Sequence, residues 1–134
     1  MKYLLDTCAL SYFFRKDPNV LMHFKGSSPD DLAFSYITTM EIEYGLRLHQ
    51  EREIKIRPIW EEITNLIKML SFGEKEACYV GALRAHLKRD GKPVGAYDLL
   101  IGATAKVNQL ILITSNVKEF ALILDLKIKN WKEN

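Results

Sequence analysis

The sequence predicts an α/β protein in which a central, mostly parallel sheet is flanked by helices on both faces. Short apolar segments of strand length alternate with longer segments whose apolar residues recur at helical spacing. Parallel strands need long crossover connections, and the intervening helices would supply them. The 134 residues contain no repeat and no linker, so we expect one domain over 1–134.

The N-terminal half is divided by two local signals. Asp17-Pro18 breaks a first helix, and Thr38 with Glu41 has the spacing of a capping box, which predicts a helix start at Thr38. The predicted elements are a strand at 2–5, a helix at 7–15, a short helix around 20–24, a loop at 26–31, a strand at 32–37 and a helix from 38 to about 50.

The C-terminal half is divided in the same way. Pro58 is expected to open a helix, and Asp90-Gly91 to end another with a left-handed cap. The predicted elements are an exposed charged segment at 51–57, a helix from 58 to 70, a helix at 74–88, a loop at 92–97, a buried helix from 98, a strand at 110–114, a helical turn at 117–120 and a last strand at 126–131.

Composition excludes several classes of protein. The longest apolar run, 120–124, is far shorter than the ~20 residues that span a bilayer. The N-terminus lacks the apolar stretch of a secretory signal, and two cysteines with three scattered histidines do not suggest a disulfide scaffold or a zinc site. We therefore expect a cytoplasmic protein without membrane association. The net charge of +2 permits nucleic-acid binding only if the cations are clustered.

Acidic and amide residues follow the predicted strands. Asp6 ends the first strand, Glu41 lies in the first turn after the second, Asp98 begins the buried helix, and Asn116 and Glu119 follow the 110–114 strand. Ligands of open α/β sheets bind where strands end and helices begin. Each residue also has a structural explanation, because Asp98 could cap its helix and Glu41 could complete the capping box.

Together, these acids indicate a metal site. Two carboxylates ~4 Å apart repel by roughly 4 kcal/mol at an effective dielectric near 20. Three of them in one cleft need protons or a cation, and oxygen ligands favour Mg²⁺ or Mn²⁺. A metal-activated water suits hydrolysis of phosphodiesters.

The segments LLDTCALSYF, ITTMEIEYG, LRAHLKRDGKPVGAYDLLIGATA, LILITSNVKEF and LKIKNW resemble, in this order, the PIN-domain ribonucleases and above all the VapC toxins of toxin–antitoxin pairs. The resemblance implies a PIN-like α/β/α sandwich. It also implies an Mg²⁺- or Mn²⁺-dependent endoribonuclease that cuts structured RNA such as tRNA, a VapB-like antitoxin partner and a homodimer.

The resemblance also assigns roles to residues. It implies that Asp6, Glu41 and Asp98 are catalytic and bind the metal, and that Asn116 takes a fourth catalytic position where the family often has Asp. It further gives supporting roles to the hydroxyls of Thr7 and Thr114 and to Glu119. Cys8 stands where the family commonly has Asn, and we interpret it as a packing residue.

Four cations upstream of Asp98 are candidates for RNA binding: Arg84, Lys88, Arg89 and Lys92. Two alternatives to the nuclease are left open. Asn116 in place of an acid suggests a catalytically weak or inactive RNA- or protein-binding module. A phosphoacceptor domain is disfavoured, because the first strand ends in a single acid, Asp6.

Overall fold

The computed structural model describes residues 1–92 and 94–133, and they form an α/β sandwich. Its elements are β1 (Tyr3–Leu5), α1 (Thr7–Phe14), α2 (Pro18–Gly26), a 3-10 turn (Pro29–Asp31), β2 (Leu32–Ser35), α3 (Tyr36–Leu48), α4 (Gln50–Leu66), β3 (Lys68–Leu70), α5 (Glu74–Arg89), α6 (Ala96–Val107), β4 (Ile111–Ile113), α7 (Val117–Phe120) and β5 (Ile128–Lys129). The predicted fold class is confirmed.

The order of the strands defines where the site lies. The sheet runs β3-β2-β1-β4-β5, and all four neighbouring pairs are parallel. The chain first builds outward from β1 to β3 and then returns to the other side of β1 with β4. The order therefore reverses between β1 and β4, and the crevice at such a reversal is the usual ligand site of an open α/β sheet.

Each face of the sheet carries its own apolar core. Adjacent residues of a strand point to opposite faces, so Leu5 joins the core covered by α1 to α4, while Leu4 joins the core covered by α5 to α7. Trp60 and Phe34 are fully buried in the first core, and Ile101 and Phe120 in the second. Helices therefore cover both faces, as the sequence predicts.

Two predicted boundaries around Pro58 are wrong. The segment 51–57 is helical, and Pro58 lies inside α4 rather than at its start. An interior proline costs about 3 kcal/mol, and burial of Ile56, Trp60 and Ile63 on one face of α4 offsets that cost. The helix also ends at Leu66, and Lys68–Leu70 forms β3, which pairs with β2.

Smaller differences concern helix starts and strand lengths. The second and last strands are shorter than predicted, and α6 begins at Ala96 instead of Asp98. The predicted left-handed cap is confirmed: Gly91 has φ of 66°, and the amides of Gly91 and Lys92 donate to the carbonyls of Lys88 and Leu87. Among the described residues, no helix is both long and apolar enough to span a bilayer.

Candidate active site

Asp6 lies at the carboxyl end of β1 and is 2% exposed. Its Oδ1 accepts from the Ala9 amide at 2.8 Å and so caps α1. The pKa of Asp6 is raised to about 6, chiefly by burial and also by the negative charge of Glu41, while hydrogen bonds from Thr114 and Ala9 oppose both. Asp6 is therefore a helix cap and, at the same time, a carboxyl group that is costly to ionise.

Glu41 is held in place by α1. The Thr7 hydroxyl donates to Glu41 Oε1 at 2.6 Å, and the hydroxyls of Thr7 and Thr38 are 3.4 Å apart. The predicted capping box is wrong, because Ser35 caps α3 through a 3.0 Å bond from the Ile37 amide. Thr38 is instead buried inside the helix, and the Glu41 carboxylate accepts from Thr7 of α1 rather than from a helix cap.

Asp98 lies in the first turn of α6 and makes no cap, since Gly95 occupies the cap position. Its carboxyl group hydrogen-bonds Glu119, and burial together with the charge of Glu119 raises the pKa of Asp98 well above its usual range. The Gly95 amide donates to Glu119 Oε1 at 2.5 Å, and this bond lowers the pKa of Glu119. The two carboxyl groups are therefore costly to ionise together.

Asn116 acts on Glu119 in this structure. Its side-chain Nδ2 donates to Glu119 Oε2 at 2.6 Å, and its backbone amide donates to Thr114 Oγ1 at 2.9 Å. Thr114 in turn hydrogen-bonds Asp6. Hydrogen bonds through Thr114 and Asn116, which follow β4, thus link Asp6 to Glu119. Glu119, one helical turn after position 116, supplies the carboxylate that Asn116 lacks.

The acids form one electrostatic cluster, because the charges of four of them act on the pKa of the same thiol, Cys8. The exposed Cys8 thiol has its pKa raised to about 11, first by partial burial and then by the charges of Asp6, Asp98, Glu41 and Glu119. We call these four carboxylates the acid cluster. A thiol held protonated in this way is not a nucleophile, as predicted. The prediction that Cys8 is a packing residue is wrong, because its side chain is exposed.

The donor set suits a hard cation. In the described part of the chain, no three acidic, histidine or cysteine side chains already form a metal cage. The acid cluster offers only oxygen donors, and the oxygens of Asp98 and Glu119 lie 3.5 and 3.2 Å from the point where a Cβ on Gly95 would stand. These residues fit Mg²⁺ or Mn²⁺.

The candidate RNA-binding cations are divided by the structure. Arg84, Lys88 and Lys92 line a cleft between α5 and α6, next to Asp98 along the chain. Arg89 is exposed at the end of α5 and does not line that cleft. Gly95, whose amide anchors Glu119, is a site residue that no sequence pattern indicates. Asn116 and Glu119, in contrast, are three residues apart at the start of α7, a spacing at which helical side chains meet.

Comparisons with known proteins agree with this fold and site. The PIN domain model matches residues 3–123. "Ribonuclease VapC1" of Haemophilus influenzae is 35% identical over 133 residues, and the match covers 98% of each chain. "tRNA(fMet)-specific endonuclease VapC" of Shigella flexneri is 29% identical over 131 residues, with the same coverage. A crystal structure of DNA-bound VapBC from Salmonella typhimurium has a chain with a TM-score of 0.88, 29% identity and 98% coverage of both chains.

A parallel α/β sandwich with acids at the reversal of strand order is the architecture of a PIN domain. The chain belongs to the PIN-domain family, and within it to the VapC ribonucleases of toxin–antitoxin pairs. The resemblance predicted from the sequence is confirmed.

Proposed function

We propose that the protein is an endoribonuclease toxin that hydrolyses phosphodiester bonds of structured RNA at the acid cluster. The observation that carries the proposal is the Asp98–Glu119 pair at the reversal of strand order. Two neighbouring carboxylates repel each other when both are ionised, and a divalent cation would relieve that repulsion. The Shigella relative is named for tRNA(fMet), and we propose tRNA as the class of substrate here.

We propose that Asp6, Glu41 and Asp98 hold Mg²⁺ or Mn²⁺. When bound, the ion supplies the Lewis acidity that phosphodiester hydrolysis needs. The chain's own residues orient the carboxylates: Thr7 holds Glu41, Thr114 contacts Asp6, and Asn116 fixes Glu119. Glu119 is our candidate for the fourth acid, and Asn116 its positioning residue.

The test is RNA cleavage by the purified chain with Mg²⁺, with Mn²⁺ and with EDTA. We expect metal-dependent cleavage and a loss of at least about 100-fold in Asp98→Asn. Asp30→Asn is the matched control, because Asp30 is exposed in the turn before β2, at the amino ends of the strands and not at the carboxyl ends where Asp6 lies. Undiminished cleavage by Asp98→Asn, or cleavage that persists in EDTA, would overturn the assignment.

Asn116 supports a second candidate, an RNA- or protein-binding module without activity. In that case RNA binding persists in EDTA, and no metal concentration produces cleavage from folded protein. The contact between Asn116 and Glu119 favours the nuclease, because it keeps a fourth carboxylate at the site.

We also propose an antitoxin protein as the partner, since the solved relatives include toxin–antitoxin complexes. The homodimer stays a prediction. Light scattering on the purified chain, with and without its antitoxin, measures the mass that decides it.

A further inference from the structure

A cleft of about 360 Å³ opens between α5 and α6. Its floor is apolar and consists of Leu87, Val94 and Leu99, and its rim carries Arg84, Lys88 and Lys92. We call it the α5–α6 cleft. Its volume lies within the ~300–1,000 Å³ of small-ligand sites.

The three rim cations are not neutralised within the described part of the chain. None of them takes part in the ion pairs of residues 1–92 and 94–133. The nearby Asp90 faces His86, 3.3 Å away, and does not line the cleft. Arg84 and Lys88 are one helical turn apart, and like charges at this spacing repel each other. The rim therefore favours an anion.

The backbone fixes the third cation in position. The Lys92 amide donates to the Leu87 carbonyl at 2.9 Å, and Gly91 adopts the left-handed conformation that ends α5. This turn brings the chain back along the helix, so Lys92 lines the same cleft as Lys88.

The cleft and the acid cluster share the first turn of α6. Leu99 of the floor follows Asp98, with Cα atoms about 3.8 Å apart. Val94 precedes Gly95, whose amide holds Glu119. A polymer whose phosphate lies at the acid cluster therefore has a neighbouring unit within reach of the floor and the rim.

We propose that the α5–α6 cleft binds the RNA nucleotide next to the one whose phosphate is cut. The rim contacts its phosphate, and the floor receives the face of its base. The floor side chains have no hydrogen-bonding groups, so the cleft accepts any base and contributes affinity and position rather than sequence choice. The inference rests on the proposed function and adds a substrate subsite to it.

The first test measures RNA affinity by fluorescence anisotropy in the Asp98→Asn background without metal, so that cleavage plays no part. The probes are a tRNA transcript and a short single-stranded RNA of mixed sequence. Lys88→Ala is compared with Arg89→Ala, because both cations are exposed in the last turn of α5 and only Lys88 lines the cleft.

We expect Lys88→Ala to weaken binding about 3–10-fold, roughly the effect of losing one phosphate contact. We expect Arg89→Ala to weaken binding by less than about 2-fold. The slope of log affinity against log salt should fall by about 0.7 in Lys88→Ala and by about 2 when Arg84, Lys88 and Lys92 are all replaced by Ala. Equal effects of Lys88→Ala and Arg89→Ala would overturn the cleft. Binding that depends on the rim in a protein that never cuts RNA would overturn only the proposed function.

The second test identifies the occupant by methyl NMR. We expect adenosine monophosphate to shift the methyl signals of Leu87, Val94 and Leu99 more than inorganic phosphate does. Equal shifts from both would show an anion site without a place for a base. Shifts caused by an acidic peptide but not by the nucleotide or by RNA would assign the cleft to a protein partner, and either result overturns the proposal.

Discussion

The Thr7 hydroxyl links the two acids of the cluster that lie near the end of β1, Asp6 and Glu41. It donates to Glu41 at 2.6 Å from the first turn of α1, and Asp6 caps the same helix. The Thr7 hydroxyl therefore positions Glu41 of α3 relative to Asp6 at the end of β1.

We predict that Thr7→Val lowers the rate of RNA cleavage about 10-fold and raises the Mg²⁺ concentration needed for half-maximal rate. A tenfold loss corresponds to about 1.4 kcal/mol, close to the lower end of the range for a hydrogen bond to a charged group. Thr7→Ser keeps the hydroxyl and should restore most of the rate. Full activity in Thr7→Val, or equal loss in both variants, would contradict this role.

At this scale, the sequence predicts residues next to strand ends better than the contacts between them. Asp6 is found from its place after an apolar strand. The cap of α3 was assigned to Thr38 instead of Ser35, because both residues satisfy the same local chemistry. The bond between Gly95 and Glu119 joins residues 24 apart in sequence, and no local pattern signals it.

Helices α3 and α4 are joined by one carboxylate. Glu43 accepts from Arg57 at 2.6 Å and from the Trp60 indole at 2.9 Å, and it also contacts Arg47. The Glu43 side chain is 29% exposed. Hydrogen bonds from Arg57 outweigh the effect of burial and lower the pKa of Glu43 to about 2.

We predict that Glu43→Gln lowers the free energy of unfolding by about 1–3 kcal/mol at pH 7. The folded-state pKa lies below the ordinary value of 4.5, so the stabilisation is complete above pH 4.5 and is lost as the pH falls towards 2. Urea titrations over this range measure the difference between variant and parent. Glu61→Gln, on the exposed side of α4, is the control. A difference that is independent of pH would contradict the prediction.

Two helical glycines should respond to alanine in opposite directions. At Gly102 of α6, a Cβ would lie 2.5 Å from Ile123 Cδ1 and 3.4 Å from the Phe120 ring, both of which are buried. At Gly81 of α5, nothing lies within 4 Å.

We therefore expect Gly102→Ala to destabilise by about 1–3 kcal/mol through overpacking, and Gly81→Ala to stabilise by about 0.5–1 kcal/mol through helix propensity. Thermal melts of both variants against the parent check this. Stabilisation by Gly102→Ala would mean that α6 and the α7 segment pack less closely than the structure shows.

Element boundaries were the part of the fold least accessible from sequence. Pro58 carries a strong local signal for a helix start, and tertiary burial of α4 overrides it. Ile67 and Leu70 continue the helical spacing of α4, so the sequence predicts a helix where the structure has β3. Pairing of β3 with β2 depends on contacts that lie far apart along the chain.

At the scale of the whole molecule, the order of elements did predict the architecture. Alternating strands and helices allow few arrangements, since crossovers are right-handed and loops are short. The rule leaves the strand order open, and the structure places β1 and β4 side by side, and with them Asp6 and Thr114. The sequence therefore predicts acids at strand ends, and the structure supplies their neighbours and hydrogen bonds.

The two cores share one sheet, and their coupling is testable because both tryptophans lie on one face. Trp60 and Trp131 belong to the core under α1 to α4, and Ile101 belongs to the core on the other face. Ile101 is 0% exposed, so Ile101→Val should lower stability by about 0.5–1.5 kcal/mol.

If the molecule unfolds in one step, tryptophan fluorescence reports this loss although the mutation lies across the sheet. We expect the fluorescence and circular dichroism midpoints in urea to fall together and by the same amount. Ile54→Val, at a residue 70% exposed, should leave both midpoints unchanged. A circular dichroism transition that shifts while the fluorescence transition stays in place would show that the two faces unfold separately. Strands as short as those of this sheet make that outcome improbable, since neither core retains a platform once the other is lost.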